Sequence, residues 1–308
     1  MKAERSDSER ASSLTEIPLP FLGRLIHPLI RERRTLAGVL SWIGLGILFF
    51  FIFIAVFAPL LVPIGQTQPF SSPVLQAPSL QHLMGTDNVG RDVLSRVVWG
   101  ARTSLEIMAI GVLIALAVGF PVGLLSGYVA GKLDRVLVLI MDSVYAFPGL
   151  LLAALIAAVI GKGIFNIGIA ITVIYIPLYF RVTRSQTLSV REEPYVEAAR
   201  ALGARPLTIM FSYIAHSAII AIPVIFSLSS ADAILTAAGL SYLGLGLEVD
   251  TPGDWGRDLS DAQQFLGVGV WWTSVFPGLM ILLLTVGLSF LGEGLNDIIN
   301  PILRKERT

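Results

Sequence analysis

Long apolar runs restrict the fold of this chain more than any other feature of it. A hydrocarbon layer about 30 Å thick needs about 20 apolar residues per helical crossing, and several stretches reach that length. Only helices or closed barrels satisfy every backbone group in lipid. The runs lack the period-two alternation that a barrel strand requires. The fold class that follows is an all-α membrane protein with six transmembrane helices. They are placed at about Ala37 to Val62, Thr103 to Leu125, Val136 to Ile160, Ile164 to Arg181, Ser217 to Leu240 and Trp272 to Leu291.

Composition agrees with that class and removes others. Of 308 residues, 54% are apolar and only 14% charged, which is far from a soluble domain. Formal net charge is zero and no basic stripe stands away from the span ends, so nucleic acid is not an expected partner. There is no cysteine, which excludes disulfides and thiolate chemistry. The three histidines, His27, His82 and His216, have no metal-ligand spacing.

Lys and Arg positions orient the chain. Arg31, Arg33 and Arg34 precede the first span, and Arg304, Lys305 and Arg307 follow the last, so both termini are expected in the cytoplasm. The organisation read from this is a tail at 1–36, a first helix at 37–62 and an external loop at 63–102. A core at 103–297 follows, with a cytoplasmic loop at 182–216 and an external loop at 241–271, and the tail 298–308 closes the chain. Pro and Gly punctuate the spans at Gly119-Phe120-Pro121, Phe147-Pro148-Gly149, Ile176-Pro177 and Phe276-Pro277-Gly278, as hinges or as points of close packing.

Within the loop 182–216 stands a short charged helix, Tyr195 to Gly203. Glu192-Glu193-Pro194 supplies acidic residues and a proline where a helix begins. Gly203 sits where a left-handed cap ends it. Tyr195, Ala198, Ala199 and Leu202 share a face at helical spacing, and the two alanines keep it low enough for a partner to approach. A helix lying on lipid headgroups is the alternative.

Glu197-Ala198-Ala199, three residues, then Gly203 resembles the signature loop of bacterial ABC-importer permeases. Ordered matches narrow the resemblance to the peptide/nickel branch, second-permease type. They include Met84-Gly85-Thr86-Asp87-Asn88-Val89-Gly90-Arg91-Asp92, Leu240-Ser241-Tyr242-Leu243-Gly244-Leu245-Gly246, Trp255-Gly256 and Gly292-Glu293-Gly294-Leu295-Asn296-Asp297. The resemblance implies a type I ABC importer permease-like bundle working by alternating access. It implies a second homologous permease subunit, one or two ATPase subunits carrying ATP and Mg, and an extracytoplasmic solute-binding protein. Tyr195, Glu197, Ala198, Ala199, Arg200 and Gly203 then form the ATPase-coupling loop. The chain has no phosphate loop of its own, so it is expected to bind no cofactor and to be no enzyme. Two positions depart from the family: Ile214-Ala215-His216 replaces an Ile-Leu-Pro tail, and Ala237 replaces an acidic residue. Without that proline, the second loop helix is expected to run unbroken into the fifth span.

Three other groups are candidate sites. Asp232 lies within the fifth span and either lines the path, meeting a solute amino group, or bonds a nearby Ser or Thr. Asp87, Arg91, Asp92 and Arg96 form a patch before the second span, an external gate or a self-paired cap; Asp92 and Arg96 have ion-pair spacing if helical. Asp254, with Glu248, Asp250, Asp258 and Asp261, makes an acidic loop suited to steering a binding protein. Trp255, Trp271 and Trp272 read as interfacial anchors. A second class of function, an ion-coupled transporter acting without ATPases, would need a relay of titratable groups, of which Asp232 is one.

Overall fold

A computed structural model of the chain describes residues 36–62, 64–248 and 250–299. The basic residues used to orient the termini lie outside the described residues. Helix α1 is Leu36–Leu61, α2 is Val93–Val129, α3 is Gly131–Tyr145 and α4 is Gly149–Ile160. Then come α5, Ile164–Val190, and the short helix α6, Pro194–Ala201. Helix α7 runs Pro206–Tyr242, α8 is Trp255–Ala262 and α9 is Trp272–Ile299. Among the described residues the β pairing is a single bridge between Thr86 and Asp92.

Five of these helices are long and apolar enough to cross a membrane, and six spans result when α3 and α4 count as one. That third span is not the straight helix expected from Val136 to Ile160: its halves meet at 87°. Pro148 removes a backbone donor and biases Phe147 away from helical geometry, which stops α3 at Tyr145. Pro121, Pro177 and Pro277 instead lie inside α2, α5 and α9, as lipid-embedded helices permit where neighbours take up the freed carbonyls.

Two helices extend past their expected ends. Helix α2 begins at Val93 rather than Thr103, so the loop before it closes at Asp92, whose side chain caps the helix by accepting from the Ser95 amide at 2.8 Å. Helix α5 continues past Arg181 to Val190. In both, the charges taken to mark a span end are neutralised by neighbours: Arg102 by Glu106, Arg181 by Asp142 and Arg184 by Asp134.

The bundle closes around α2 and α5. Gly111, Ala115, Gly119, Gly123 and Gly127 recur every fourth residue and are all buried, so one face of α2 has almost no side chain. A Cβ on Gly123 would stand 2.6 Å from the Phe180 carbonyl oxygen, and one on Gly127 2.7 Å from Thr187 Cβ. Thr172 donates to the Gly111 carbonyl at 3.2 Å across the same seam. Near the C-terminal end of α2, Arg184 grips Asp134 through two donors, and Ser126 joins at 2.6 Å. From Pro206, α7 stays helical through a wide turn at Ile209–Ile214 and a tight one at Ile219–Ala221. The unbroken run expected at Ile214-Ala215-His216 is therefore present.

Candidate functional sites at the two ends and the middle of the bundle

Helix α6 starts with Pro194 at its first position and ends in a left-handed Gly203, φ +79°. The Ala204 amide donates to the Ala199 carbonyl at 3.1 Å and the Gly203 amide to Arg200 at 3.0 Å. Both orphan carbonyls are thus satisfied in a Schellman cap. Gly203→Ala places a Cβ in left-handed backbone, costing about 1–2 kcal/mol. The expected result is faster amide exchange at Ala204, with the spans unaffected; unchanged exchange there would refute the cap's role.

The faces of α6 differ from the expected grouping. Val196 is fully buried and Ala199 nearly so, because they turn inward with the helix period. Val196 packs with Leu124 of α2 and with Ile209, Met210 and Ile214 of α7. Ala199 is therefore a seat on the bundle, not part of the outward surface. Tyr195, Glu197, Ala198, Arg200 and Gly203 are exposed, and Leu202 is 89% exposed. The Tyr195 hydroxyl reaches Ser217 Oγ at 3.1 Å, a second tie to α7.

In mid-bundle, Asp232 borders a cavity of about 450 Å³ between α3, α4, α5 and α7. Its partner is no nearby Ser or Thr: the Tyr175 hydroxyl, from α5, donates to Oδ2 at 2.5 Å.

At the opposite end of the bundle from α6 the charged groups pair in an unexpected register. Asp92 serves as the cap and also meets His82 Nδ1 at 2.9 Å. Arg96 instead pairs with Asp258, 162 residues away, through Nε at 2.7 Å and Nη2 at 2.5 Å. Asp87 takes Arg91, and Arg91 also reaches Asp261 at 3.5 Å. Asp87, Arg91, Arg96, Asp254 and Asp258 are all buried. Burial pushes the Asp254 carboxyl above the usual carboxylate range, against the hydrogen bond from Ser241. It does the same to Asp258, against the charge of Arg96. Asp254 caps α8 by accepting from the Gly256 amide at 3.1 Å. Neither acid is thus a docking group on the surface; Glu248 and Asp250 remain exposed.

Two tryptophans are also corrected. Trp255 is 1% exposed and donates Nε1–H to the Val97 carbonyl at 3.0 Å. Trp272 is buried and donates to Thr86 at 3.0 Å. A tryptophan beside Gly100 or Gly85 fills the space that those glycines leave. Only Trp271 of the three is exposed.

A multi-span helical bundle with a capped helix seated at one end, a cavity bordered by one carboxylate at mid-depth and a locked charge cluster at the other end is built as a membrane permease subunit. Residues 119–305 match the family described as "Binding-protein-dependent transport system inner membrane component", and the chain belongs to that family. It is 40% identical to a dipeptide transport system permease protein of Alkalihalophilus pseudofirmus, over 86% of each chain. Identity is 37% to a glutathione transport system permease protein of Pectobacterium atrosepticum, over 82% of this chain and 83% of that one. It is also 37% to a di/tripeptide transport system permease protein of Pseudomonas aeruginosa, over 85% and 88%. The chain is thus a multi-pass inner-membrane permease, a component of an ABC transport system and not itself an enzyme.

Proposed function

We propose that this chain is one of two homologous permease subunits of an ATP-driven importer for peptides or related small solutes. The relatives named for dipeptide, di/tripeptide and glutathione transport support that solute class. The observation that carries the reading is α6: a capped helix with one face sunk between α2 and α7 and the other bare. Such an element passes a push from a docked protein into two spans at once. ATP and Mg belong on one or two ATPase subunits, since the sequence has no phosphate loop. Glu197, Ala198, Arg200 and Leu202 form the surface that such a subunit meets. With α6 cytoplasmic, both termini are cytoplasmic in a bacterial or archaeal inner membrane, with tails at 1–36 and 298–308. An extracytoplasmic binding protein then delivers solute at the α8 end, where Glu248 and Asp250 are free to steer it. Passage is by alternating access between this chain and its partner.

The test is uptake by the reconstituted complex. Glu197→Arg is expected to lower ATP-dependent uptake at least about tenfold, equivalent to about 1.4 kcal/mol of docking. Helix content and membrane insertion should stay unchanged. Uptake that persists without any ATPase subunit would overturn the proposal.

A further inference from the structure

A carboxylate at mid-depth in a membrane needs a donor, water or a cation beside it. Asp232 receives one donor, the Tyr175 hydroxyl on Oδ2, which leaves Oδ1 as an acceptor. The walls of the cavity it borders are otherwise mainly apolar, among them Phe147, Ile174 and Leu178, with Thr236 beside the carboxylate. Among the described residues, Asp232 is the one charged residue in that lining. The nearest cation along the same wall of α5 is Arg181, one helical turn beyond Leu178. It is already spent, with Nη2 2.7 Å from Asp142 and its guanidinium 3.9 Å over the Tyr145 ring. Among the described residues, the lining of the cavity therefore carries one negative charge and no cation.

The outer flank of α7 gives a second, independent constraint. Leu228, Asp232, Leu235 and Tyr242 fall on one face at helical spacing, and all four are exposed in the single chain. A carboxylate in the middle of that stripe does not fit a surface turned to lipid. This side therefore faces the interior of the assembled transporter. The cavity volume falls within the about 300–1,000 Å³ of small-molecule sites.

We propose that this cavity is a subsite for a primary ammonium group of the transported solute, with Asp232 as its counter-ion and Tyr175 as the residue that aims it. The proposal rests on the importer reading above. Like charge makes the same site reject an acylated, anionic analogue.

Two ligands and three variants test it on the whole transporter in lipid nanodiscs, without nucleotide or binding protein. Saturation-transfer NMR compares alanyl-alanine with 2-methylpropanoyl-alanine, which has a methyl group where the ammonium stood. Wild type and Asp232→Glu should bind alanyl-alanine, and Asp232→Asn should weaken it at least about tenfold. Tyr175→Phe, which keeps the charge, should weaken it less than Asp232→Asn. Equal binding of the two ligands to the wild type would overturn the proposal, and so would Asp232→Asn binding like the wild type. The two-ligand comparison decides even where a variant does not assemble. Loss of ATP-dependent uptake in the wild type would strike the importer reading instead, and leaves this comparison standing.

Discussion

Replacing Arg96 by alanine is expected to destabilise the protein by about 3–5 kcal/mol, the usual cost of breaking a buried ion pair on one side. Arg96 is 2% exposed and its two donors both end on Asp258 Oδ1. Without them Asp258 is a buried carboxylate whose Oδ2 is already unpartnered. Arg96 Nη1 also reaches the Pro252 carbonyl at 3.4 Å, so the loop before α8 loses its tie to α2. Thermal unfolding of the purified protein in detergent checks this. The double variant Arg96→Met with Asp258→Leu should recover most of the loss, because it removes both charges together. An Arg96→Ala protein that unfolds like the wild type would show the pair to be dispensable.

Gly123→Leu is the second substitution with a large expected effect. The new Cβ alone would stand 2.6 Å from the Phe180 carbonyl oxygen and 2.9 Å from Thr183 Cβ. Backbone cannot swing aside as a long side chain can, so α2 and α5 must separate. Overpacking costs about 1–3 kcal/mol even where neighbours adjust, and here the displaced seam runs the length of the bundle. The expected outcome is loss of a monodisperse complex and of uptake. Gly46→Leu on α1 is the control, since a Cβ there meets nothing within 4 Å. If both variants behave alike, close packing along α2 is not what the glycines provide.

Much of the fold was legible in the residues themselves. The apolar runs located five long helices and the two short ones of the bent pair but not their 87° break, and Pro194 and Gly203 marked α6 at both ends. What the local sequence did not carry was the pairing of distant charges. Arg96 and Asp258 are 162 residues apart, so spacing alone favoured the nearer Asp92, which in the structure caps a helix. The same blindness shortened α2 and α5, because a charge with a remote partner does not end a helix. Trp255 and Trp272 read as surface anchors until Gly100 and Gly85 were seen to make room for them. The four-residue recurrence from Gly111 to Gly127 was present in the sequence all along, as small residues at fixed spacing. At the sites, Asp232 was recognisable as a costly residue, but its donor lies 57 positions earlier in Tyr175. Ala199 was assigned outward because α6 considered alone has no inside; Leu124 and Ile214 supply one.

Helix α2 has Arg96 near its N-terminus and Leu124 near its C-terminus. At 1.5 Å per residue, those two positions lie about 42 Å apart on one rigid element. The first is locked to α8, where the proposed function puts solute delivery, and the second packs against α6, where it puts the ATPase. If events at both ends shift the same rod, thermodynamic linkage makes their effects reciprocal. Whatever free energy nucleotide-driven docking spends in loosening the outer lock, delivery of solute outside must return as tighter or weaker docking inside. Transport of this kind then needs no separate messenger between its two faces, because one helix belongs to both.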